Sequence, residues 1–244
     1  MTPRQIDRYA RHLMLREVGG PGQNALLRAR IAIVGAGGLG GPAGLYLAAA
    51  GVGHVTVIDH DLVERSNLQR QVQFGDDQIG KPKARALADR MMALNPDCVA
   101  GARQRRLDAD NALILLDGYD VVLDGTDSFE TRFAVNAACL ALGTPLVSGA
   151  VGRWDGQLGV FGAPGPCYRC FVPDAPDDAQ SCAEVGIVGA LTGIVGSAMA
   201  LEAVKIVTGA GEALAGRLWL YDGLAGESRT VRLSRDPDCV ACRG

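Results

Sequence analysis

The stretch that decides the fold runs from Arg30 to Gly40 and reads RIAIVGAGGLG. Its apolar, β-branched first half predicts a buried strand over residues 31–34. The pattern G-x-G-x-x-G follows at once, through Gly35, Gly37 and Gly40, and a helix is predicted directly after it. Glycines at these positions let the backbone turn tightly and approach phosphate oxygens, and the first amides of the following helix attract anions. The stretch therefore predicts the strand, turn and helix of a nucleotide-binding α/β unit.

Strands and helices alternate along the chain that follows this unit. Apolar runs predict strands over residues 55–58, 121–123 and 146–147, and helical periodicity predicts helices over residues 39–50, 83–94 and 129–142. This alternation is typical of a doubly wound, mostly parallel α/β sheet of the Rossmann-like kind. After Gly149 the pattern changes, because glycine-rich turns separate short apolar runs. That change predicts antiparallel strands that extend the sheet.

We expect the chain to form one domain with three parts. Residues 1–29 are predicted to be a helical arm, with one helix over residues 3–18 that ends at the glycines that follow, and a second over residues 23–29. Residues 30–149 are the predicted nucleotide-binding core. Residues 150–244 are predicted to hold the antiparallel extension, a polar crossover loop and a cysteine-rich metal site.

Composition and charge exclude several classes of protein. The 24 basic and 27 acidic residues give a net charge of −3, which argues against a nucleic-acid partner. No apolar signal segment opens the chain, and the odd count of seven cysteines favours a reducing, cytoplasmic location over a disulfide scaffold. The helix predicted over residues 186–208 carries no charge before residue 202, yet its glycines favour burial in the core or at a subunit interface over a membrane span. We therefore expect no membrane partner.

Polar and charged residues follow the predicted parallel strands. Asp59 ends the second strand, 19 residues after Gly40, where a carboxylate is expected to bind ribose hydroxyls. Arg70, Lys83 and Asp127 lie in segments that follow strands of the same sheet, so they should converge on its carboxyl edge. Two cations and a carboxylate able to hold Mg²⁺ suit a triphosphate better than the pyrophosphate of NAD. The alternative is a set of ordinary solvated charges beside a tightly packed glycine turn.

Four of the seven cysteines form two C-x-x-C pairs, Cys167 with Cys170 and Cys239 with Cys242. Four thiolates in two tight turns suit a tetrahedral Zn²⁺ ion whose coordination positions are all filled by protein. The 68 residues between the pairs exceed zinc-finger spacings, so this zinc knuckle is expected to fasten the C-terminal segment to the body. A dithiol redox pair and plain exposed cysteines are the alternatives.

Cys182 differs from the other cysteines because it lies in a polar loop just ahead of the glycine-rich helix. A helix N-terminus lowers the pKa of a nearby thiol and so favours nucleophilic chemistry. The alternative is an inert exposed cysteine, because the loop carries no cationic neighbour. Cys98 and Cys139 lie in or next to predicted regular structure and are expected to be structural.

Several motifs together resemble one family. The glycine turn at 30–40, SNLQRQ at 66–71, GKPK at 80–83, DGTD at 124–127 and CYRC at 167–170 look like those of the MoeB/ThiF/HesA adenylyltransferases, prokaryotic relatives of the ubiquitin-activating enzymes. The resemblance covers essentially the whole chain, in order. It implies ATP-dependent adenylylation of the C-terminal Gly-Gly carboxylate of a small ubiquitin-fold sulfur carrier, of the ThiS or MoaD type, with release of pyrophosphate. Thiamine or molybdopterin biosynthesis and a separate sulfur donor, a cysteine desulfurase or a rhodanese-type protein, are implied with it.

The resemblance also implies roles for individual residues. The implied nucleotide-binding residues are Gly35, Gly37, Gly38, Gly40, Asp59, Asp61, Ser66, Asn67, Leu68, Gln69, Arg70, Lys83, Asp127 and Ser128, with Asp127 also binding Mg²⁺. The implied catalytic residues are Arg11, Arg70, Lys83, Asp127 and Cys182. Arg11 resembles an arginine that reaches across a homodimer to the neighbour's ATP. Ser128 stands where the family usually has Asn, although a serine can still cap the following helix.

Two other functions stay open on the residues alone. An NAD-linked oxidoreductase would use the same glycine turn, but the polar segment at 66–71 counts against it. A non-catalytic scaffold would bind nucleotide and a ubiquitin-fold partner without turnover. The basic cluster at 103–106 is either a docking site for an acidic carrier or a solvated face.

Overall fold

A computed structural model describes residues 1–162, 165–175 and 186–243 of the chain. Its nine helices in these ranges are α1 (Pro3–Arg8), α2 (Ala10–Leu13), α3 (Gly19–Arg28), α4 (Gly40–Ala50), α5 (Lys83–Leu94), α6 (Ala112–Leu116), α7 (Phe129–Leu142), α8 (Tyr168–Phe171) and α9 (Gly189–Thr208). The eight strands there are β1 (Arg30–Val34), β2 (His54–Ile58), β3 (Val99–Arg103), β4 (Val121–Asp124), β5 (Leu146–Gly152), β6 (Asp155–Phe161), β7 (Arg217–Asp222) and β8 (Glu227–Arg232). Short 3₁₀ turns cover residues 65–67 and 76–78.

The eight strands form one sheet in the order β3-β2-β1-β4-β5-β6-β7-β8. In this order, the first five strands, β3, β2, β1, β4 and β5, run parallel to one another. Strands β6, β7 and β8 then extend the sheet from β5 by antiparallel pairing. The strand order reverses between β1 and β4, which is where sheets of this kind bind ligands. The prediction of a doubly wound, mostly parallel sheet with an antiparallel extension is confirmed.

Helices cover both faces of the sheet. Ile31 and Ile33 of β1 point to one face, where Leu47 and Met199 complete a core beneath helices α3, α4, α5 and α9. Ala32 and the other alternate residues of β1 point to the opposite face, which α6, α7 and α8 cover. This alternation of side chains on a strand that is buried on both faces explains why β1 reads as an unbroken apolar run.

The N-terminal arm differs from its prediction. The single helix expected over residues 3–18 breaks at Tyr9, whose ring is buried and whose hydroxyl accepts a hydrogen bond from Asn95 Nδ2 at 2.9 Å. The glycines expected to end this helix instead begin α3, because Gly22 packs closely against Val18. Tertiary packing outweighs the poor helix propensity of glycine at these positions.

The sequence analysis missed strand β3 and the two short helices α6 and α8. Strand β3 reads VAGAR and pairs only with β2 among the described strands, so it lacks the apolar run of a central strand. Helix α6 has only five residues, which is too short for a helical period to show.

Helix α9 begins at Gly189, three residues later than predicted. Of the described helices, it alone is long and apolar enough to cross a membrane, with a mean hydropathy of 1.6. It nevertheless packs on α4, α3 and β5, and a Cβ at Gly196 would lie 2.5 Å from the carbonyl oxygen of Leu39. These are the contacts of a core helix that approaches its neighbour backbone to backbone.

The glycine turn itself supports a stability prediction. A Cβ at Gly40 would overlap the carbonyl oxygen of Gly35, which is backbone and has no freedom to move aside. We expect Gly40→Ala to lower the free energy of unfolding by about 3 kcal/mol or more, because the turn must open to admit a methyl group. Gly20→Ala is the matched control, since a Cβ there meets nothing within 4 Å and should change stability by less than about 1 kcal/mol. Equal urea midpoints for the two variants would contradict this account.

Candidate functional site

A cavity of about 860 Å³ opens at the carboxyl ends of β1, β2 and β4. Ten of the residues assigned to the nucleotide line it, namely Gly35, Gly37, Gly38, Asp59, Asp61, Asn67, Arg70, Lys83, Asp127 and Ser128. Four others, Gly40, Ser66, Leu68 and Gln69, are not among the lining residues of this cavity. Gly40 instead begins α4 behind the turn. The structure thus gathers most of the predicted set in one place.

Asp59 connects the glycine turn to the end of β2. Its Oδ2 accepts a hydrogen bond from Ala36 N at 2.7 Å and its Oδ1 accepts one from Asp61 N at 2.8 Å. Burial raises the pKa of this carboxyl above its usual value, although the two backbone donors oppose the rise. A carboxylate has about four acceptor positions, so Asp59 can hold the turn and still accept ribose hydroxyls.

The polar segment that follows β2 presents unsatisfied side chains. Asn67 and Gln71 are buried and line the cavity, and their amide oxygens have no hydrogen-bond partner among the described residues. Buried polar atoms without partners are costly, so these two indicate a polar ligand. Gln73 was missed by the sequence analysis: its Nε2 donates to the carbonyls of Ala36 and Gly37 and so holds the glycine turn from behind.

Contacts with the start of helix α9 hold the backbone of Arg70 in place. The Thr192 hydroxyl, at the start of α9, donates to the Arg70 carbonyl at 3.1 Å, and a Cβ at Gly189 would meet the chain at Gln69 and Arg70. The Arg70 guanidinium donates to the Ser66 carbonyl at 3.1 Å. Among the described side chains it forms no ion pair, so its charge is available to an anion in the cavity.

Lys83 is nearly buried and forms an ion pair with Asp61. Its Nζ lies 2.9 Å from Asp61 Oδ2, and 8% of its side chain is exposed. Burial alone would raise the pKa of Asp61, but the hydrogen bond and charge of Lys83 outweigh burial and lower it. Asp61 thus holds the Lys83 ammonium group in place beside the cavity before any nucleotide arrives.

Asp124, unlike Asp127, does not line the cavity. It is fully buried, its Oδ1 accepts hydrogen bonds from the backbone and hydroxyl of Thr126, and its Oδ2 accepts one from the Ser148 hydroxyl at 3.1 Å. Asp124 therefore shapes the loop that presents Asp127 to the cavity. Ser128 caps α7 by accepting a hydrogen bond from Thr131 N, which confirms the capping role expected for it.

Arg132 is a second buried polar residue, after Gln73, that the sequence analysis missed. Its guanidinium donates to Ser148 Oγ at 3.1 Å, to the Gly149 carbonyl at 2.9 Å and to the Thr126 carbonyl, and it lies 3.8 Å from Asp124 Oδ2. Burial disfavours its charged form, yet Asp124 and Tyr168 raise the pKa of Arg132 above its usual value. The available signal was a charged residue on the side of α7 that its apolar pattern buries.

The basic cluster at 103–106 belongs partly to the cavity. Arg105 and Arg106 line it, and Arg106 Nη2 lies 3.0 Å from His60 Nε2. All four residues of the cluster are exposed, as expected for a solvated face, although neither hypothesis placed Arg105 and Arg106 at the nucleotide cavity. The reason is that β3 was not recognised as a strand next to β2, so its following loop was not placed at the carboxyl edge.

The four cysteines of the two C-x-x-C pairs come together, which fits the predicted zinc knuckle. Their Sγ atoms all lie within 4.8 Å of one another, with separations of 3.6 Å for Cys167 and Cys239, 3.9 Å for Cys167 and Cys170, and 3.4 Å for Cys170 and Cys242. A tetrahedral Zn²⁺ with bonds of about 2.3 Å holds its sulfurs about 3.8 Å apart. The site thus has the right donors at the right spacing.

The cysteines of this cluster differ in how far their charge depends on a metal. Burial raises the pKa of Cys167 to about 12, so its thiol is neutral unless a cation is bound. Burial would also raise the pKa of Cys239, but the backbone N–H groups of Ala241 and Cys242 lower it to about 7. When bound, Zn²⁺ supplies folding energy by joining two distant turns.

The remaining cysteines fall into two groups. Cys98 and Cys139 are buried, and burial raises their pKa to about 11 and about 12 respectively, which fits the structural role predicted for them. Cys182 lies outside the described residues.

The fold and the cavity define a nucleotide-binding α/β protein whose four clustered cysteines are placed so that they could hold a metal ion. The chain belongs to the ThiF family, whose model matches residues 9–241. A sulfur carrier protein adenylyltransferase of Thermus thermophilus is 47% identical over 249 residues, which is 99% of this chain and 92% of the relative. The SAMP-activating enzyme E1 of Haloferax volcanii is 47% identical over 98% of this chain and 89% of its own.

A third relative is longer than this chain. The adenylyltransferase and sulfurtransferase MOCS3 of Mus musculus is 47% identical over 98% of this chain, which spans 53% of its length. Among solved structures, E. coli MccB superimposes with a TM-score of 0.84 at 21% identity, over 97% of this chain and 72% of its own. That likeness supports the fold alone. None of these proteins is named as an oxidoreductase or a scaffold.

Proposed function

We propose that this chain uses ATP to adenylylate the C-terminal Gly-Gly carboxylate of a small ubiquitin-fold sulfur carrier, with release of pyrophosphate. The observation that carries the proposal is that Arg70, Lys83 and Asp127 line one cavity with the glycine turn. Relatives named as a sulfur carrier protein adenylyltransferase and a SAMP-activating enzyme support the acceptor.

The chemistry needs charge neutralisation more than proton transfer. A C-terminal carboxylate has a pKa of about 3.5, so it is ionised at pH 7 and requires no general base. The obstacle is the approach of one anion to the α-phosphorus of another. Arg70 and Lys83 reduce that repulsion and stabilise the charge that develops on the departing pyrophosphate. Because Asp61 already holds Lys83 in place, little reorganisation is required when ATP binds.

Asp127 is the residue that would hold Mg²⁺ in this site. It lines the cavity, whereas the oxygens of Asp124 are used by Thr126 and Ser148. When bound, Mg²⁺ neutralises phosphate oxygens and orients the leaving pyrophosphate. Asp59, with Asn67 and Gln71, supplies acceptors and amides for the ribose and the phosphates.

A second cavity gives the carrier tail a route to the nucleotide. It measures about 650 Å³, lies over strands β5 to β8, and shares Ala150, Val151 and Gln157 with the nucleotide cavity. A Cβ at Gly152 in its floor would meet nothing within 4 Å. An extended Gly-Gly tail is narrow enough to lie in such a groove, so we assign it this path.

The test is exchange of labelled pyrophosphate into ATP in the presence of each small Gly-Gly-ended carrier from the same cell. Exchange is expected with a cognate carrier and is expected to be lost when that carrier lacks its terminal glycine. Exchange that does not depend on any carrier, or tight binding of a nicotinamide cofactor in place of ATP, would overturn the proposal. The same assay separates a thiamine-type carrier from a molybdopterin-type one.

We further propose a symmetric homodimer. Arg11 is exposed, hydrogen-bonds only with Met14 Sδ among the described side chains, and does not line the nucleotide cavity of its own chain. Large apolar side chains are exposed on adjacent helices, including Met14, Tyr46 and Leu201, which are 75%, 60% and 61% exposed. A second copy that covers this surface would bring its Arg11 to the neighbouring site.

Mixing two inactive variants tests this arrangement. Arg11→Ala and Asp127→Asn are each expected to be inactive alone, but a mixed dimer has one site with an intact Asp127 and an intact Arg11 from the other chain. Random mixing should therefore restore about a quarter of the wild-type exchange rate. No recovery after verified subunit exchange would show that Arg11 acts within its own chain or not at all.

After adenylylation, sulfur transfer requires a nucleophile from this chain and a separate sulfur donor. We propose that the Cys182 thiolate attacks the carrier adenylate and releases AMP, forming a thioester that a separate sulfur donor resolves, of the cysteine desulfurase or rhodanese type. A thiol-sensitive carrier adduct that is lost in Cys182→Ala would support this step, and an unchanged adduct would exclude it. We also propose a cytoplasmic location, since it keeps the four knuckle cysteines reduced for zinc.

A further inference from the structure

The zinc knuckle and the nucleotide cavity share a wall. Helix α8, Tyr168–Phe171, begins directly after the knuckle residue Cys167 and includes a second knuckle residue, Cys170. Tyr168, Phe171 and Val172 also line the nucleotide cavity. One short helix therefore contacts both the cysteine cluster and the nucleotide cavity, although none of the four cysteines lines the cavity.

Tyr168 is fixed in one position by its surroundings. Its backbone N–H donates to Asn136 Oδ1 at 2.8 Å, and its ring meets Phe161 edge to face at 5.4 Å between centroids. Only 3% of the residue is exposed. Because Cys167 precedes it directly, the position of the Tyr168 backbone follows from the position of the knuckle.

The Tyr168 ring contacts Arg132, so the position of the ring affects the position of the arginine. The Arg132 Cζ atom lies 5.8 Å from the ring centroid, within the range of a cation–π interaction. Arg132 has no freedom to turn away, because its guanidinium also donates to Ser148 Oγ and to the carbonyls of Thr126 and Gly149. The arginine thus joins the knuckle helix to the loop after β4.

That loop is held at Thr126 from two sides. Arg132 binds the Thr126 carbonyl, and Asp124 accepts hydrogen bonds from the Thr126 backbone N–H at 3.0 Å and hydroxyl at 2.7 Å. Asp127 is the next residue along the chain and faces the cavity. A displacement of Arg132 would therefore move the peptide that positions Asp127.

We infer that Tyr168 is a positioning residue that couples the zinc knuckle to Asp127, so that the affinity of the site for Mg²⁺-ATP depends on an intact tetrathiolate cluster. The inference rests on the proposed function only in requiring that Asp127 acts on the Mg²⁺-nucleotide. It does not depend on the identity of the carrier or on carrier transfer.

The test compares Tyr168→Leu with Tyr168→Phe in the full chain. Zinc content is measured by metal analysis and the dissociation constant of Mg²⁺-ATP by equilibrium binding, without any carrier. Tyr168→Leu should keep one zinc per chain, because Tyr168 is not a ligand, and should bind Mg²⁺-ATP about tenfold more weakly. Tyr168→Phe keeps the ring and loses only the hydrogen bond of its hydroxyl with Arg132, so it should weaken binding less than Tyr168→Leu does.

Tyr119→Leu is the matched control. Tyr119 makes the same kind of contact with Arg30, also at 5.8 Å, but it does not line the cavity. A similar loss of ring area there should leave the affinity for Mg²⁺-ATP unchanged. Should Tyr119→Leu weaken nucleotide binding as much as Tyr168→Leu does, the effect would be general destabilisation and the inference would fail.

A double-variant comparison identifies the route. Asp127→Asn and Tyr168→Leu should combine to less than the sum of their separate effects, since both act through the same loop. Chelation of zinc should weaken Mg²⁺-ATP binding by wild-type protein and add nothing in Tyr168→Leu. Strict additivity, or equal losses on chelation in both proteins, would overturn the coupling.

The remaining outcomes are distinguishable. If Tyr168→Leu does not fold, Tyr168→Met takes its place, because its flexible, unbranched side chain can fill an irregular gap while lacking the aromatic face. Wild-type protein that fails to bind Mg²⁺-ATP at all would contradict the proposed function. Wild-type protein that binds Mg²⁺-ATP, alongside a zinc-loaded Tyr168 variant that binds it equally well, would contradict this inference alone.

Discussion

Asp127→Asn is expected to lower carrier-dependent exchange of pyrophosphate into ATP by about 10²–10³-fold, the loss typical when one preorganised electrostatic group is removed. The amide keeps the size of the side chain but cannot supply the negative charge that holds Mg²⁺ against the phosphates. The buried network of Asp124 and Arg132 is untouched, so the fold should survive. Initial rates at saturating ATP and carrier are the measurement.

Asp117→Asn is the control for this loss. Asp117 is an exposed aspartate at the end of α6 and does not line the cavity, so its variant should retain wild-type exchange. The deficit of Asp127→Asn should also become smaller as the Mg²⁺ concentration rises. Wild-type exchange in Asp127→Asn would remove the magnesium role proposed for this residue.

Arg132→Met is expected to lower the free energy of unfolding by about 3–5 kcal/mol, the range seen when one partner of a buried ion pair is removed. Two causes add together: the Asp124 carboxylate is left buried without its cation, and the carbonyls of Thr126 and Gly149 lose their donor. Urea unfolding followed by circular dichroism measures the change.

Two further variants check the mechanism. Arg85→Met removes an exposed arginine that pairs with Asp89 on the surface of α5, and it should change stability by less than about 1 kcal/mol. Arg132→Met combined with Asp124→Asn should be more stable than Arg132→Met alone, because the unpaired charge is gone. If the double variant is no more stable, the cost of Arg132→Met lies in packing rather than in charge.

The sequence predicted the central fold well because its strands are buried on both faces. Residues 31–34 and 121–123 are unbroken apolar runs, and helices α5 and α7 have the bounds that their patterns indicate. The arm was harder, since the break at Tyr9 depends on Asn95, which lies 86 residues away. Contacts of that separation leave no local pattern.

In the candidate site, too, the residues with a local sequence pattern were predicted and those defined by long-range contacts were not. Motif residues such as Asp59, Lys83 and Asp127 were found because they directly follow strands or begin helices at the carboxyl edge. Arg132 and Tyr168 were not found, because their importance arises from contacts between helices that meet only in the folded chain. The position of Arg105 depended on β3, whose sequence carries no strand signal strong enough to place it.

The far end of the sheet has a consequence for how copies of this protein meet. In the part of the chain that the structure describes, β8 has a neighbour on one side only, and all six of its residues are exposed. Three of these side chains, Glu227, Arg229 and Arg232, carry charge, and charged border strands resist pairing with like strands. The open backbone of this edge is thus protected against strand-to-strand pairing between copies of the chain.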